Sequence, residues 1–243
     1  MPVRGTLYGT YGQLAQMSWR WVLDSPGVLK CLQVKLRVDI LIHGSERLLM
    51  DKVDALPAAT FSATMAADAG IGARELRRLS ESGAIDRLGR GLYRRGDLPP
   101  ANLDLLEIVA RRQDATVCLS SALAHHGLVD AIPTRIDVAV PRGVRTPHTG
   151  APVAWHHFDA ATFTLGRTDL AIDGSDATIG LYSPERSIVD AYRLRGLEGY
   201  EIAPEALKNW LRKSGSHPAV LMNIAQQLPR ASGPLRHALE LLS

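Results

Sequence analysis

The chain has few cysteines and no long apolar run. Its 243 residues include two cysteines, Cys31 and Cys118, which lie far apart in the sequence. This excludes a disulfide framework and a zinc ribbon, and it fits a reducing cytoplasm. There is also no uninterrupted run of about 18 apolar residues, which excludes a transmembrane helix. The sequence therefore predicts a cytoplasmic protein with no membrane partner.

The signatures of common enzymes are also missing. Gly70-Ile71-Gly72 lacks the third glycine and the preceding strand of a nucleotide-binding loop. A nuclease core would need a Glu-x-Lys to accompany an acid such as Asp137, and no Glu-x-Lys occurs in the chain. The pairs His125-His126 and His156-His157 lack metal-ligand spacing, because neighbouring residues of a strand or helix point in different directions. We therefore predict no catalytic residue, no metal site and no cofactor.

A stretch near residue 70 has the spacing of two helices joined by a tight turn. Ala66 is small enough for the point where two helix backbones cross, and Gly70 can adopt positive φ in the short turn. Leu76 and Leu79 fall on one face of the second helix. Gly83 follows that helix where a left-handed cap is expected. This pattern predicts a helix-turn-helix.

Arginines occur in two parts of this predicted element, on its second helix and in the hairpin after it. On the second helix, residues 73–82, they lie on the face opposite the two leucines, as a recognition helix requires. Residues 85–88 and 92–94 then alternate like two strands around Gly89-Arg90-Gly91, which predicts the hairpin of a winged helix-turn-helix. Guanidinium groups fit phosphate oxygens and the edge of guanine. The predicted DNA-binding residues are Arg74, Arg77, Arg78, Arg87, Arg90, Arg94 and Arg95.

The charge distribution favours a local function for this element. Between residues 71 and 95 seven arginines accompany three acidic residues, a net charge of +4, whereas the whole chain carries +3. Contacts to phosphate are the commoner kind, so they are the default for each arginine. The alternatives are a solvated arginine surface without function and a module that contacts protein instead of DNA.

The remaining sequence predicts an α+β protein, with an N-terminal winged helix-turn-helix followed by a mixed α/β domain that ends in helices. Residues 1–49 differ from the rest, and residue 50 looks like an ordinary start. We therefore interpret residues 1–49 as an over-called or poorly ordered extension, residues 50–96 as the DNA-binding domain and residues 101–243 as the C-terminal domain. Ser183-Pro184-Glu185 is a strong helix start.

One helix of the C-terminal domain concentrates charge. Arg186, Asp190, Arg193 and Arg195 lie on or near it. They are either solvated, with a weak pair between Arg186 and Asp190, or part of a second surface for DNA or toxin-related work. Arg142 and Arg145, which follow a predicted strand, leave the same two interpretations open.

Four motifs, in this order and spacing, resemble the AbiEi family of antitoxins from bacterial abortive-infection systems. The likeness covers the chain from about residue 50 to its end. The motifs are Arg74-Glu75-Leu76-Arg77-Arg78-Leu79 with Arg90-Gly91-Leu92-Tyr93-Arg94; the run from Cys118 to Leu128; Val138-Ala139-Val140-Pro141-Arg142-Gly143; and the run from Tyr182 to Tyr192.

The resemblance implies a transcriptional repressor that binds inverted repeats in double-stranded DNA and regulates its own operon. It implies a C-terminal domain that provides antitoxicity and cooperative self-association on DNA. It also implies functional pairing with a nucleotidyltransferase-like toxin. The alternatives are a DNA-processing enzyme targeted by a winged domain, and a stand-alone regulator without a toxin.

Overall fold

The structure, a computed structural model, describes residues 50–57, 59–198 and 201–242. The chain divides into two units, Met1–Asp54 and Ala55–Ser243. In the first unit, residues 50–54 are helical, and the hypothesis for residues 1–49 lies outside the described residues. All that follows concerns the second unit. No helix in the described ranges is long and apolar enough to span a membrane.

The second unit begins with the predicted winged helix-turn-helix. Ser62 is the N-cap of the first helix, where its hydroxyl accepts a hydrogen bond from the Met65 N–H at 3.1 Å. Gly70 and Gly83 both have φ of 76°, as the turn and the C-cap require. The elements are β1 (Phe61–Ser62), α1 (Ala63–Asp68), α2 (Ala73–Glu81), β2 (Ile85–Gly89) and β3 (Leu92–Arg95).

A three-stranded antiparallel sheet forms the wing. Its order is β1-β3-β2, and the hairpin turns at Arg90-Gly91. The pairing of β2 with β3 shifts register between Arg87 and Gly89, which places a bulge at Leu88. Leu88 is buried, so the bulge directs an apolar side chain inward just before the turn.

The α/β half contains a five-stranded mixed sheet of order β6-β5-β4-β8-β7. Strands β4 and β8 are parallel, as are β5 and β6, while β7 runs antiparallel to β8 at the edge. The elements are α3 (Leu103–Arg111), β4 (Thr116–Val117), α4 (Leu119–His125), β5 (Ile136–Pro141), β6 (Val153–Phe158), β7 (Arg167–Ala171), β8 (Thr178–Tyr182), α5 (Pro184–Arg193), α6 (Arg195–Glu198), α7 (Ile202–Leu211), α8 (Pro218–Gln227) and α9 (Ser232–Leu242).

Among the apolar clusters of the described residues, two join the layers of this half. One joins α3 to the sheet through residues such as Leu106, Ile108 and Ile179, and it includes Leu88 of the wing. The other joins α5 to the C-terminal helices through residues such as Leu207 and Leu221. Because Leu88 belongs to the first cluster, the wing and the sheet share apolar packing.

Two local features of this half depend on tertiary contacts. Strand β7 lies at the sheet edge and mixes charged and apolar residues, so its sequence lacks a clear alternating pattern. Cys118 is the N-cap of α4, and the hydroxyls of Ser120 and Ser121 in the first turn donate to the carboxylate of Asp137, which comes from β5.

Candidate nucleic-acid interface

Helix α2 has an apolar face and a cationic face. Leu76 and Leu79 are each 3% exposed, whereas Arg74, Arg77 and Arg78 are exposed. This burial follows the helical period: the two leucines lie on the side of the helix that faces the core, and the three arginines lie on the side that faces solvent. The helix therefore presents three guanidinium groups to solvent.

The first turn of α2 is capped by its own acid. Glu75 Oε2 accepts a hydrogen bond from the Gly72 N–H at 2.8 Å. A carboxylate in the first turn also interacts favourably with the positive end of the helix dipole. Glu75 therefore fixes the start of the helix next to Arg74.

Arg77 forms an ion pair within the same helix. Its Nε donates to Glu81 Oε1 at 2.8 Å, with side-chain exposures of 82% for Arg77 and 63% for Glu81. This pairing raises the pKa of Arg77 above its ordinary value, because the hydrogen bond that Arg77 donates to Glu81 favours the charged form. An exposed pair of this kind is weak, so a phosphate oxygen can replace Glu81.

The wing presents two more exposed arginines. Arg87 lies on β2 and donates a long hydrogen bond from Nε to the Gly89 carbonyl, at 3.4 Å. Arg90 lies at the turn, followed by Gly91 with φ of 69°. Within the described ranges, the side chains of Arg74, Arg78 and Arg90 have no hydrogen-bond or ion-pair partner.

Arg94 does not belong to this surface, and its prediction as a DNA-binding residue is wrong. It is 2% exposed, and its Nη2 donates to the carbonyl oxygens of Pro99 and Gly174, each at 2.7 Å. A guanidinium held this way cannot reach DNA without leaving the interior. Arg94 ties the end of the wing to the loop between β7 and β8.

Arg95 is paired with a nearby carboxylate. Its Nε and Nη2 donate to Asp97 Oδ1 and Oδ2 at 2.9 and 2.5 Å, and its side chain is 17% exposed. The hydrogen bond from Arg95 lowers the pKa of Asp97 below its ordinary value. Arg95 is therefore already paired with a carboxylate of its own segment.

Two residues of α3, Glu107 and Arg111, position the wing and were missed from sequence. Arg111 Nε donates to Glu107 Oε1 at 2.9 Å, and Arg111 Nη2 donates to the Arg90 carbonyl at 3.2 Å. Glu107 is fully buried and accepts from the N–H groups of Gly150 and Ala151, both at 2.9 Å. The i,i+4 spacing of the two residues was the available signal, but their contact with Arg90 depends on tertiary structure.

The charged helix of the C-terminal half is mostly an internal network. Arg186 is fully buried, donating to Asp190 Oδ2 at 2.7 Å and to the Thr162 and Leu165 carbonyls at 2.8 Å. Arg193 also donates to Asp190, at 2.8 Å. Arg186 therefore belongs neither to a solvated ion pair nor to a DNA-binding surface. Its guanidinium connects α5 to the loop before β7.

Residues 59–96 match the family model described as "Transcriptional regulator, AbiEi antitoxin". This confirms the predicted resemblance over the winged helix-turn-helix. The description is one of regulators and antitoxins rather than of enzymes. No curated protein matches the chain.

A solved structure shares the fold over most of the chain. It is the crystal structure of the RV2827C protein from Mycobacterium tuberculosis, with 18% sequence identity and a TM-score of 0.50. The match covers 82% of this chain and 80% of that chain. At this identity the likeness concerns the fold alone.

Proposed function

We propose that this protein is a DNA-binding transcriptional repressor and the antitoxin of a toxin–antitoxin operon. In the cytoplasm it binds inverted repeats in its own operator, where copies of the chain associate cooperatively. It has no catalytic activity, and its functional counterpart is a nucleotidyltransferase-like toxin. Residues 50–96 act as the DNA-binding domain and residues 101–243 as the antitoxin domain.

The exposed arginine face of α2 carries this proposal. Arg74, Arg77 and Arg78 lie opposite the buried Leu76 and Leu79, in a segment that matches a family of transcriptional regulators. A helix of this kind enters the major groove, while a wing lies along the backbone. We accordingly retain Arg74, Arg77, Arg78, Arg87 and Arg90 as the proposed contacts and assign Arg95 a minor part.

The test is DNA binding by a triple variant. Replacing Arg74, Arg77 and Arg78 together with Gln should abolish binding to the DNA upstream of the chain's own gene, measured by fluorescence anisotropy. The slope of log affinity against log salt should fall by about 0.9 for each arginine that contacts a phosphate. Unchanged affinity would refute the assignment of α2 as the recognition helix. Mg²⁺-dependent cleavage of the same DNA would favour the enzyme alternative.

A second triple variant provides the control. Arg212, Arg230 and Arg236 are exposed residues of the C-terminal helices and their connections, and replacing them with Gln removes the same total charge. Since they lie outside the winged helix-turn-helix, this variant should retain most of the affinity. An equal loss in both variants would show that net charge alone governs binding.

The antitoxin role has its own test. The gene adjacent to the coding sequence is expressed alone and together with this chain. We expect growth arrest in the first case and growth in the second. If this chain does not relieve the arrest, or if the neighbour is harmless, the antitoxin assignment is wrong and a stand-alone regulator is left.

A further inference from the structure

Arg94 lines a cleft between the base of the wing and the α/β half. The cleft has a volume of about 370 Å³. Its walls are largely apolar and include Leu98, Leu106, Val109 and Ala177. Binding sites for small molecules typically measure about 300–1,000 Å³ and combine apolar walls with a few polar groups. The cleft therefore has the size and composition of such a site.

Arg94 interacts electrostatically with Asp97, a carboxylate whose hydrogen bonds come from Arg95. Among the described residues, the hydrogen bonds of the Arg94 guanidinium run from Nη2 to the carbonyl oxygens of Pro99 and Gly174. In the part of the chain that the structure describes, no carboxylate pairs with Arg94, and nothing accepts a hydrogen bond from its Nε or Nη1. Asp176 also lines the cleft, but it is exposed and makes no ion pair with Arg94 among these residues.

A guanidinium at this depth is costly to bury without a carboxylate in direct contact. Carbonyl dipoles replace only part of the hydration that a guanidinium loses on burial, so an opposite charge is normally found beside it. Both Nη2 hydrogens of Arg94 are engaged, so a carboxylate beside Nε or Nη1 would accept a single charge-assisted hydrogen bond, which is about twice as strong as a neutral one. Because Arg94 is 2% exposed, an anion bound there would be shielded from water and held strongly.

We propose that this cleft binds a small carboxylic acid with an apolar body. The carboxylate accepts a hydrogen bond from Nε or Nη1 of Arg94, and the apolar body packs against Leu98, Val109 and their neighbours in the wall. The site is independent of the proposed function, because it requires no DNA.

The test compares two acids with their amides. Benzoate and benzamide, and octanoate and octanamide, are titrated separately into the full chain without DNA. An amide has nearly the shape of its acid but no charge, so the comparison isolates the carboxylate. We expect at least one acid to raise the Tm and to bind about tenfold more tightly than its amide, as measured by ligand-observed NMR.

Two cleft variants and one control locate the site. Val109→Trp fills the cleft without removing Arg94 and should abolish binding of the acid. Arg94→Gln should abolish the preference for the acid over the amide. Val220→Trp adds the same ring at a 42% exposed position of α8 outside the cleft lining, and it should bind like the unchanged chain.

The unchanged chain alone can overturn the proposal. If neither acid binds more tightly than its amide, the cleft has no carboxylate site. Binding that survives Val109→Trp in a folded variant would place the acid elsewhere and also overturn it.

Discussion

Gly89 of the wing lies against the buried carboxylate of Glu107. A Cβ atom at position 89 would stand 2.0 Å from Glu107 Oε1. The carboxylate has no freedom to move away, because Oε2 accepts from Gly150 and Ala151 while Oε1 accepts from Arg111. Position 89 therefore admits only glycine, and the wing packs directly against α3.

Gly89→Ala should consequently destabilise the protein and displace the wing. We expect the free energy of unfolding to fall by about 1–3 kcal/mol, the usual cost of an inserted methyl group in tight packing. Chemical denaturation measures this, and operator affinity should fall as well. Gly233→Ala is the matched control, because a Cβ there meets nothing within 4 Å. Equal stability of the two variants would contradict the close packing at Gly89.

Glu81→Gln should strengthen DNA binding. The substitution frees Arg77, whose Nε now donates to Glu81 at 2.8 Å, and removes a negative charge from the proposed recognition helix. Exposed pairs of this kind are weak, so we expect an increase in affinity of about twofold, measured by anisotropy. Glu201→Gln makes the same charge change at an exposed site far along the sequence and should leave the affinity unchanged. An equal gain there would assign the effect to net charge.

The Asp137 carboxylate should stabilise the protein to an extent that changes with pH in the acidic range. Burial alone would raise its pKa, but hydrogen bonds from His156, at 2.9 Å, and from Ser120 outweigh burial and lower the pKa below its ordinary value. A lowered pKa means that the contribution is complete above the unfolded-state pKa of about 3.9 and is lost as the pH falls through the folded-state value.

Asp137→Asn tests this dependence. The Tm of the variant should lie below that of the unchanged chain at pH 5, and the difference should shrink as the pH falls from 5 to 3, in thermal melts followed by circular dichroism. Asp173→Asn, at an exposed carboxylate, should show little difference at any pH. A difference for Asp137→Asn that does not change with pH would disprove the role of its ionisation.

Tyr192→Phe should stabilise the protein. Tyr192 is 5% exposed, its hydroxyl has no hydrogen-bond partner within the described ranges, and burial raises its pKa to about 12. Removing an unsatisfied polar atom while keeping the ring should raise the free energy of unfolding by about 1 kcal/mol. Tyr182→Phe is the counterpart. Its hydroxyl donates to the Phe163 carbonyl at 2.8 Å, so the same substitution should destabilise. If both substitutions stabilise the protein, or if both destabilise it, this explanation is wrong.

Features set by neighbouring residues were predictable from sequence. The spacing of Leu76 and Leu79 identified the buried face of α2, and Gly70 marked the turn before it. Ser183 was identified as the N-cap of α5, where its hydroxyl accepts from the Arg186 N–H at 3.2 Å. Such features depend on helical period and on backbone groups within four residues, both of which are written in the local sequence.

Whether each arginine is exposed or buried could be decided only from the tertiary structure. Arg90 and Arg94 look alike in the sequence, yet one is exposed at the turn and the other is buried against the carbonyl of Gly174, 80 residues further along the chain. The sequence alone determined that a helix-turn-helix with an arginine face would form, because local spacing selects helices and turns. Only the fold decided which charges reach solvent, because burial of a charge depends on which distant polar groups surround it.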